Sequence, residues 1–308
     1  MYYKLIFKCL IYLNIMSILE YDKIIRNTSK VTNEDYLMRK LEEGQITIYW
    51  GVSVDELATI RYLHTFLKIA DFLNSGCKVI VLLADLHAYL NSKKRKWSDI
   101  ELKTKYYKDI LLKTMKTLNI DISNLFFVKG SQFQLSIDYT IKYFDLLNCV
   151  KIQDAKESMN VKDDDTMSKL VYPILQLADE YHLKADAEYG DYKQEKIFQL
   201  GCKMNNKISY LIGPYINDFS IYLTDSKEVI EQKIRKISFA KDDLNNDLFL
   251  IVKHIIFLVH KSIEIKALYT NVIYYINSYE EFEKLFLSRD ISPNDIKLFI
   301  TNFLINFI

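Results

Sequence analysis

Four polar residues carry the first chemical signal in this sequence. Tyr172, Gln176 and Asp179 share one face of a helix read from the spacing of YPILQLADEYHL, while Leu175, Ala178, Tyr181 and His182 fall at helical spacing on another. The following LKADAE is short enough for a strand, and Gly190 then turns the chain into a helix beginning near Tyr192, which returns Gln194 opposite the first three. A phenol, two amides and a carboxylate brought together offer directed donors and acceptors, the chemistry of holding a small polar ligand. The same spacing also fits an ordinary helix with a wet face.

The elements that must position these residues alternate in type. Thr32–Asp35 reads as a capping signal for a helix through Leu41 that ends at Gly44. Ile46–Trp50 has the character of a buried strand, Leu57–Leu73 that of a helix closed by Gly76, and Cys77–Ala84 that of a second strand. A loop, a long helix over Trp97–Leu118 and a third strand at Leu125–Val128 follow. Ser136–Val171 reads as helical, with Lys162–Asp165 a solvated loop, and strands at Leu183–Ala187 and Ile208–Ile212 complete the sheet. This alternation predicts an α/β fold with a parallel sheet covered on both faces. Ligands of such sheets sit beyond the carboxyl ends of the strands, where Tyr49 and Asp85 fall. After Asp225 only helices are expected, over Lys227–Ile237, Leu244–His260, Tyr279–Phe286 and Asn294–Ile305. The change predicts an N-terminal extension (1–29), an α/β domain (30–224) and a helical C-terminal domain (225–308).

With half of its residues hydrophobic, a quarter charged, seven glycines and three prolines, the chain has the composition of a globular protein with long elements. Its net charge of +1 neither favours nor excludes a nucleic-acid partner. Cys9, Cys77, Cys149 and Cys202 form no CxxC pair, which argues against a metal site or a disulfide framework and fits a reducing, cytoplasmic setting. The apolar start, MYYKLIFKCLIYLNIM, is interrupted by Lys8, lacks a small-residue cleavage site and is too short to span a bilayer. We read it as a misjudged gene start upstream of Met16, or as an apolar extension.

YPxxQxxDxxxLxxD, followed by a glycine and QxKIF, resembles the substrate-binding segment of archaeal and eukaryotic tyrosyl-tRNA synthetases. YWG (Tyr49–Gly51), LLADLHAYLN (Leu82–Asn91), KGSQFQL and YT between Lys129 and Thr140, NSYEEFEKLF (Asn277–Phe286) and SPNDIK (Ser292–Lys297) extend the likeness in the same order across roughly residues 30–306. The resemblance implies a Rossmann-like catalytic domain followed by an all-helical, anticodon-binding-like domain. It implies a reaction in which tyrosine is joined to ATP and then passed to its tRNA. Tyr49 and Asp179 would meet the substrate phenol; Tyr172, Gln176 and Gln194 would hold its α-amino group. Gly51, Asp85 and Gly190 would lie on the nucleotide side, and Asp295 at the first anticodon base, although a helix-start carboxylate explains Asp295 equally well. ATP with Mg would be a co-substrate, with no permanently bound cofactor and no metal site. L-tyrosine, tRNA(Tyr) and a second copy of the chain would be the partners, with no membrane. The homodimer is expected through Phe144–Met159, with Leu146, Leu147 and Val150 as apolar contacts.

The nucleotide signatures depart from the family pattern. The HIGH-type motif falls on Thr59-Ile60-Arg61-Tyr62, so Thr59 stands at the catalytic histidine position and Arg61 at that of a small residue; His64 is out of phase and reads as packing or surface. Val54-Asp55-Glu56-Leu57 replaces the small and glycine residues before the motif, and its two carboxylates would repel a polyphosphate. The KMSKS-type loop after Pro214 is shortened and its lysine lost; Lys227 belongs to the next helix. Asp191 takes the second place of the family's glycine pair, and Lys193 that of an acidic residue. Asp154 and Glu157 stand where archaeal relatives are basic, while Lys156 remains. The run Lys93–Lys96 reads as a solvated loop or a phosphate contact. These features predict a tyrosine pocket without effective adenylation. The alternatives are a divergent working ligase and a non-enzymatic subunit of an intact synthetase.

Overall fold

A computed structural model of the chain describes residues 18–91, 96–205, 207–239, 243–244 and 246–308. The apolar start and most of the Lys93–Lys96 run lie outside the described residues. The chain divides into two compact units: one holds the residues up to Glu56 together with Lys68–Pro214, the other holds Leu57–Leu67 together with Tyr215–Ile308.

The first unit is built on a six-stranded sheet with the order β1-β6-β5-β2-β3-β4. Its strands are β1 (Lys30–Val31), β2 (Thr47–Val52), β3 (Lys78–Leu83), β4 (Leu125–Lys129), β5 (Ala187–Gly190) and β6 (Ser209–Ile212). All neighbours are parallel except β1, which pairs antiparallel with β6 at the edge. Strands β2 and β3 are mostly apolar and rich in β-branched residues, KVIVLL in β3 above all, because helices cover both faces of a parallel sheet. The chain fills the sheet in one direction through β3 and β4, then returns to add β5 and β6 on the other side of β2. A topological switch point therefore lies between β2 and β5, the place where open α/β sheets leave a crevice.

Residues 18–25 form helix α1, followed by α2 (Glu34–Glu43), α3 (Arg61–Asn74), α4 (Asp85–Asn91), α5 (Trp97–Thr117), α6 (Ile137–Cys149), α7 (Ile152–Met159), α8 (Met167–Leu183) and α9 (Glu195–Met204). Buried Lys68 anchors α1: its Nζ donates to Ile24 O and Arg26 O, both at 2.8 Å, satisfying carbonyls at the helix end. Three local readings shift. The expected side-chain cap on α2 is absent, because Thr32 Oγ1 accepts from Tyr210 N and Asn33 Nδ2 donates to Ile208 O, tying the segment to β6 instead. The stretch after LLA is not a loop but α4. Strand β5 begins four residues later than LKADAE suggested, since α8 runs to Leu183 and Lys184 ends it in the left-handed region (φ 50°).

The second unit contains α10 (Lys227–Lys236), then α11 (Asp247–Ile251) running through a π-helical stretch (Val252–Ile256) into α12 (Phe257–Val259), and finally α13 (Tyr279–Leu287) and α14 (Pro293–Phe307). It is not all-helical. An antiparallel hairpin, β7 (Ile263–Lys266) and β8 (Ile273–Ile276), interrupts the helices. Ile263 and Ile265 point inward while Glu264 and Lys266 are exposed, a period-two pattern that four residues make easy to miss. Leu57–Ile60 belongs to this unit as extended chain rather than as the start of α3, because Ile60 N donates to Ile221 O and Leu223 N to Ala58 O. No helix of the described residues is long and apolar enough to cross a membrane.

Candidate functional site

The crevice between β2 and β5 holds a cavity of about 20 Å³, far below the roughly 300–1,000 Å³ of drug-sized sites. Tyr49, Tyr172, Gln176, Asp179 and Gln194 all line it, together with Gly51, Ser53, Leu82, Ala84, His87 and Glu188. Each comes from a rigid element. Tyr49 on β2 lies directly across from Glu188 on β5, so both side chains leave the same face of the sheet. Tyr172, Gln176 and Asp179 follow the turns of α8, and Gln194 ends the 3₁₀ turn Tyr192–Gln194 before α9. Gly190 permits that approach: a Cβ there would sit 2.1 Å from Gln194 Oε1 and 2.5 Å from Phe198 Cζ.

Asp179 is fully buried, and its two oxygens have different roles. Oδ1 accepts from Gln134 Nε2 and Tyr139 Oη, each at 2.7 Å. Oδ2 has no hydrogen bond among the described residues, and His87 Nε2 lies 3.6 Å from it. Burial raises the Asp179 carboxyl to about 7, against the opposing pull of the Gln134 and Tyr139 hydrogen bonds. Burial lowers His87 to about 3, so its imidazole is neutral; its ring packs edge-on against Tyr172 at 4.6 Å between centroids. Tyr49 Oη makes no well-formed hydrogen bond, yet it faces Glu188 closely enough for the two to influence each other's ionisation. Burial, and then the Glu188 charge, push the Tyr49 phenol well above its ordinary value. Gln176 Nε2 donates to Glu188 Oε1 at 2.7 Å, which leaves the amide oxygen for the cavity.

The sequence reading missed the contributions of His87, Gln134, Tyr139 and Glu188. The first three lie inside the conserved-looking blocks LLADLHAYLN, KGSQFQL and YT, but nothing in their spacing reveals that they meet α8. Glu188 carried a usable signal, a carboxylate within the otherwise buried strand AEYG.

The other expected site residues are engaged within the fold. Asp85 Oδ1 accepts from Leu86 N and Ser131 N, and Oδ2 from Ser131 Oγ at 2.5 Å, so its carboxylate clasps α4 to the turn after β4. Asp295 is buried in a capping box with Ser292 at the start of α14, and its Oδ1 accepts from Leu268 N at 2.8 Å. A cavity of about 510 Å³ opens nearby, lined by Leu268, Tyr269, Phe286 and Arg289 among others. Leu146 is buried in the core cluster, and Leu147 and Val150 are half-buried and packed against it. The apolar side chains that α6 exposes are Ile137, Ile141 and Phe144.

In the second unit, Thr59 Oγ1 donates to Asp218 Oδ2 at 3.1 Å, and Thr59 forms an antiparallel bridge with Tyr222. The connection after β6 is a compact turn, with Phe219 and Ser220 both left-handed and Lys233 Nζ donating to Ser220 O and Asp225 Oδ2. Residues 213–226 contain no lysine or arginine. In the first unit Asp55 Oδ2 accepts from Asn91 Nδ2 at 2.7 Å. His64 is buried, edge-on to His254.

Residues 41–217 match the family of class I tRNA synthetases for tryptophan and tyrosine. The probable cytoplasmic tyrosine–tRNA ligase of Encephalitozoon cuniculi is 32% identical over 301 residues, covering 89% of this chain and 88% of that one. The chain belongs to this tyrosine–tRNA ligase family. The cytoplasmic enzyme of Gallus gallus is 33% identical over 303 residues, but the chain spans only 57% of its length, as it does for the Danio rerio relative. The tyrosyl-tRNA synthetase of Archaeoglobus fulgidus, solved with L-tyrosine, superposes with a TM-score of 0.86 at 26% identity, covering 94% of this chain and 97% of that one.

Proposed function

We propose that this chain is a cytoplasmic, tyrosine-recognising member of its family whose adenylation step is impaired. Recognition of L-tyrosine rests on one observation above the others: Tyr49 Oη and Asp179 Oδ2 face one cavity without partners in the fold. A phenol can donate to the carboxylate and accept from the tyrosine hydroxyl, while phenylalanine would leave both groups buried and unpaired. Tyr172, the Gln176 amide oxygen and Gln194 receive the α-amino group. The region 30–224 acts as the tyrosine-binding domain and 225–308 as the tRNA-facing part, where the fully exposed Tyr269 at the rim of the second cavity offers an aromatic surface to a base.

The nucleotide side fits ATP poorly, although Gly51 still lines the cavity. Thr59 cannot supply an imidazole, Asp55 and Glu56 would repel phosphate, and residues 213–226 include no lysine or arginine to neutralise a leaving pyrophosphate. ATP with Mg therefore enters only as a poorly used co-substrate. Two lost groups at about 10² each would leave roughly 10⁻⁴ of ordinary activity, softened where groups act as a unit. Tyrosine-dependent pyrophosphate exchange tests this directly. The expected result is exchange at or near background in a protein that binds tyrosine. Exchange at the level of an ordinary synthetase, abolished by Gln194→Ala, would make the chain a divergent working ligase. The exposed Ile137, Ile141 and Phe144 fit a two-fold contact with a second copy, or with an intact synthetase of the same type.

A further inference from the structure

The cavity contains more carboxyl groups than a phenol needs. Glu188 is 1% exposed and Glu180 3%. Glu180 accepts from Tyr210 Oη through both oxygens at 2.9 Å, and Glu188 accepts from Gln176 at 2.7 Å through Oε1. Glu188 Oε2 has no hydrogen bond among the described residues and borders the cavity. The groups facing this pair are Tyr49 from β2, Asp179 from α8 and Tyr210 from β6, with His87 from α4 across the cavity. None carries a positive charge, because burial keeps His87 neutral, and among the described residues no lysine or arginine lines the cavity.

We propose that Glu188 is a positioning residue that presents the amide oxygen of Gln176 to a cationic ligand group, and that uptake of such a ligand draws a proton from the Glu180–Glu188 pair. The inference rests on the reading of the cavity as a tyrosine site and adds to it the charge that the α-ammonium group would meet. Two buried carboxyls side by side do not both ionise. Burial, followed by the neighbouring Glu180 charge, holds Glu188 well above the ordinary carboxylate range, and burial holds Glu180 at about 8. An ammonium bonded to Gln176 Oε1 lies one amide group away from Glu188. In a buried site such a charge favours the ionised carboxylate by more than it would in water. The balance is one ammonium group taken in and one carboxyl proton passed to bulk water. An ionised Glu188 can only accept, so it fixes the Gln176 amide with its NH₂ toward β5 and its oxygen toward the ligand.

Titration calorimetry of the whole chain at pH 7, in phosphate and in Tris, counts protons from the difference in apparent heats. Tyrosine should release about one proton per molecule more than 3-(4-hydroxyphenyl)propionate, which lacks the ammonium group, because any release from Asp179 on pairing with the phenol is common to both. Glu188→Gln should abolish the excess and weaken tyrosine about tenfold while leaving the desamino compound unchanged. Tyrosine binding by the unaltered protein without that excess would overturn this inference and leave the tyrosine reading standing; absence of tyrosine binding would overturn both. The full excess retained in Glu188→Gln would remove Glu188 from the role. The two-ligand comparison on the unaltered protein decides the proton linkage even where the variant does not fold.

Discussion

Replacing Asp179 by asparagine separates what this residue does for the fold from what it does for a ligand. Asparagine keeps an oxygen to accept from Gln134 and Tyr139, so the hydrogen bonds that tie α6 and the turn after β4 to α8 survive. It removes the titration. The Asp179 carboxyl sits at about 7 in the fold against 3.8 for the free group. Because the folded value is the higher one, its contribution is fully present below 3.8 and is lost as pH rises through about 7. At about 1.4 kcal/mol per pH unit, the loss approaches about 4 kcal/mol as an upper bound. Asp179→Asn has no such slope. The variant should match the native protein near pH 4 and exceed it increasingly up to pH 8, by an amount on the order of 2–4 kcal/mol. His87 has the opposite slope, since its value is lowered, and it is present in both proteins; because its Nε2 lies 3.6 Å from Asp179 Oδ2 the two residues couple, and the difference between the proteins reads them together. Urea unfolding at several pH values reads this directly. A stability difference that stays flat from pH 4 to pH 8 would refute the claim that Asp179 is held buried against its own ionisation.

Three further outcomes are expected. Tyr49→Phe should lower the preference for tyrosine over phenylalanine by about tenfold or more in calorimetry, because the ligand phenol loses one of two partners. Gly190→Ala should lower the unfolding free energy measured in urea by about 1–3 kcal/mol and weaken tyrosine binding together, since the new methyl would meet both Gln194 and Phe198. Phe144→Glu should shift the assembly toward monomer in sedimentation at micromolar concentration, whereas Leu146→Ala, a change inside the core, should lower stability by about 2–5 kcal/mol.

The parts of this molecule that sequence reveals are those with a strong period or a short-range constraint. The strands β2, β3 and β4 are legible as apolar runs of the right length, and α8 presents Tyr172, Gln176 and Asp179 on one face because 3.6-residue periodicity requires it. What stayed hidden depends on tertiary neighbours. Whether Leu146 or Phe144 faces outward on α6 cannot be read from two apolar residues close together; contact with the core cluster decides it. The hairpin β7–β8 is only four residues per strand, too short to outweigh the helical pattern around it. Asp295 looks alike in sequence whether it binds a base or closes a capping box, and only the partners Ser292 and Leu268 distinguish the two.

The same distinction bears on how function is argued from the pocket. Survival of five matching residues is weak support by itself, because some of them also serve the fold. Asp179 Oδ1 holds Gln134 and Tyr139, and Gln176 holds Glu188, so selection for stability alone would retain them. The informative atoms are those with no hydrogen-bond partner among the described residues, and Tyr49 Oη, Asp179 Oδ2 and Glu188 Oε2 are among them, with Ser53 Oγ and both His87 ring nitrogens on the same cavity. Each buried, unpaired polar atom costs about 1–3 kcal/mol, and hydrophobic replacements at these positions would remove that cost. Several such atoms around one cavity are destabilising unless a ligand pairs with them. Thr59 and Asp218 show the contrary case, where groups standing in a nucleotide signature have become bonded to each other. Under the proposed function the contrast between unpaired polar atoms around the tyrosine cavity and the Thr59–Asp218 hydrogen bond favours binding without efficient activation.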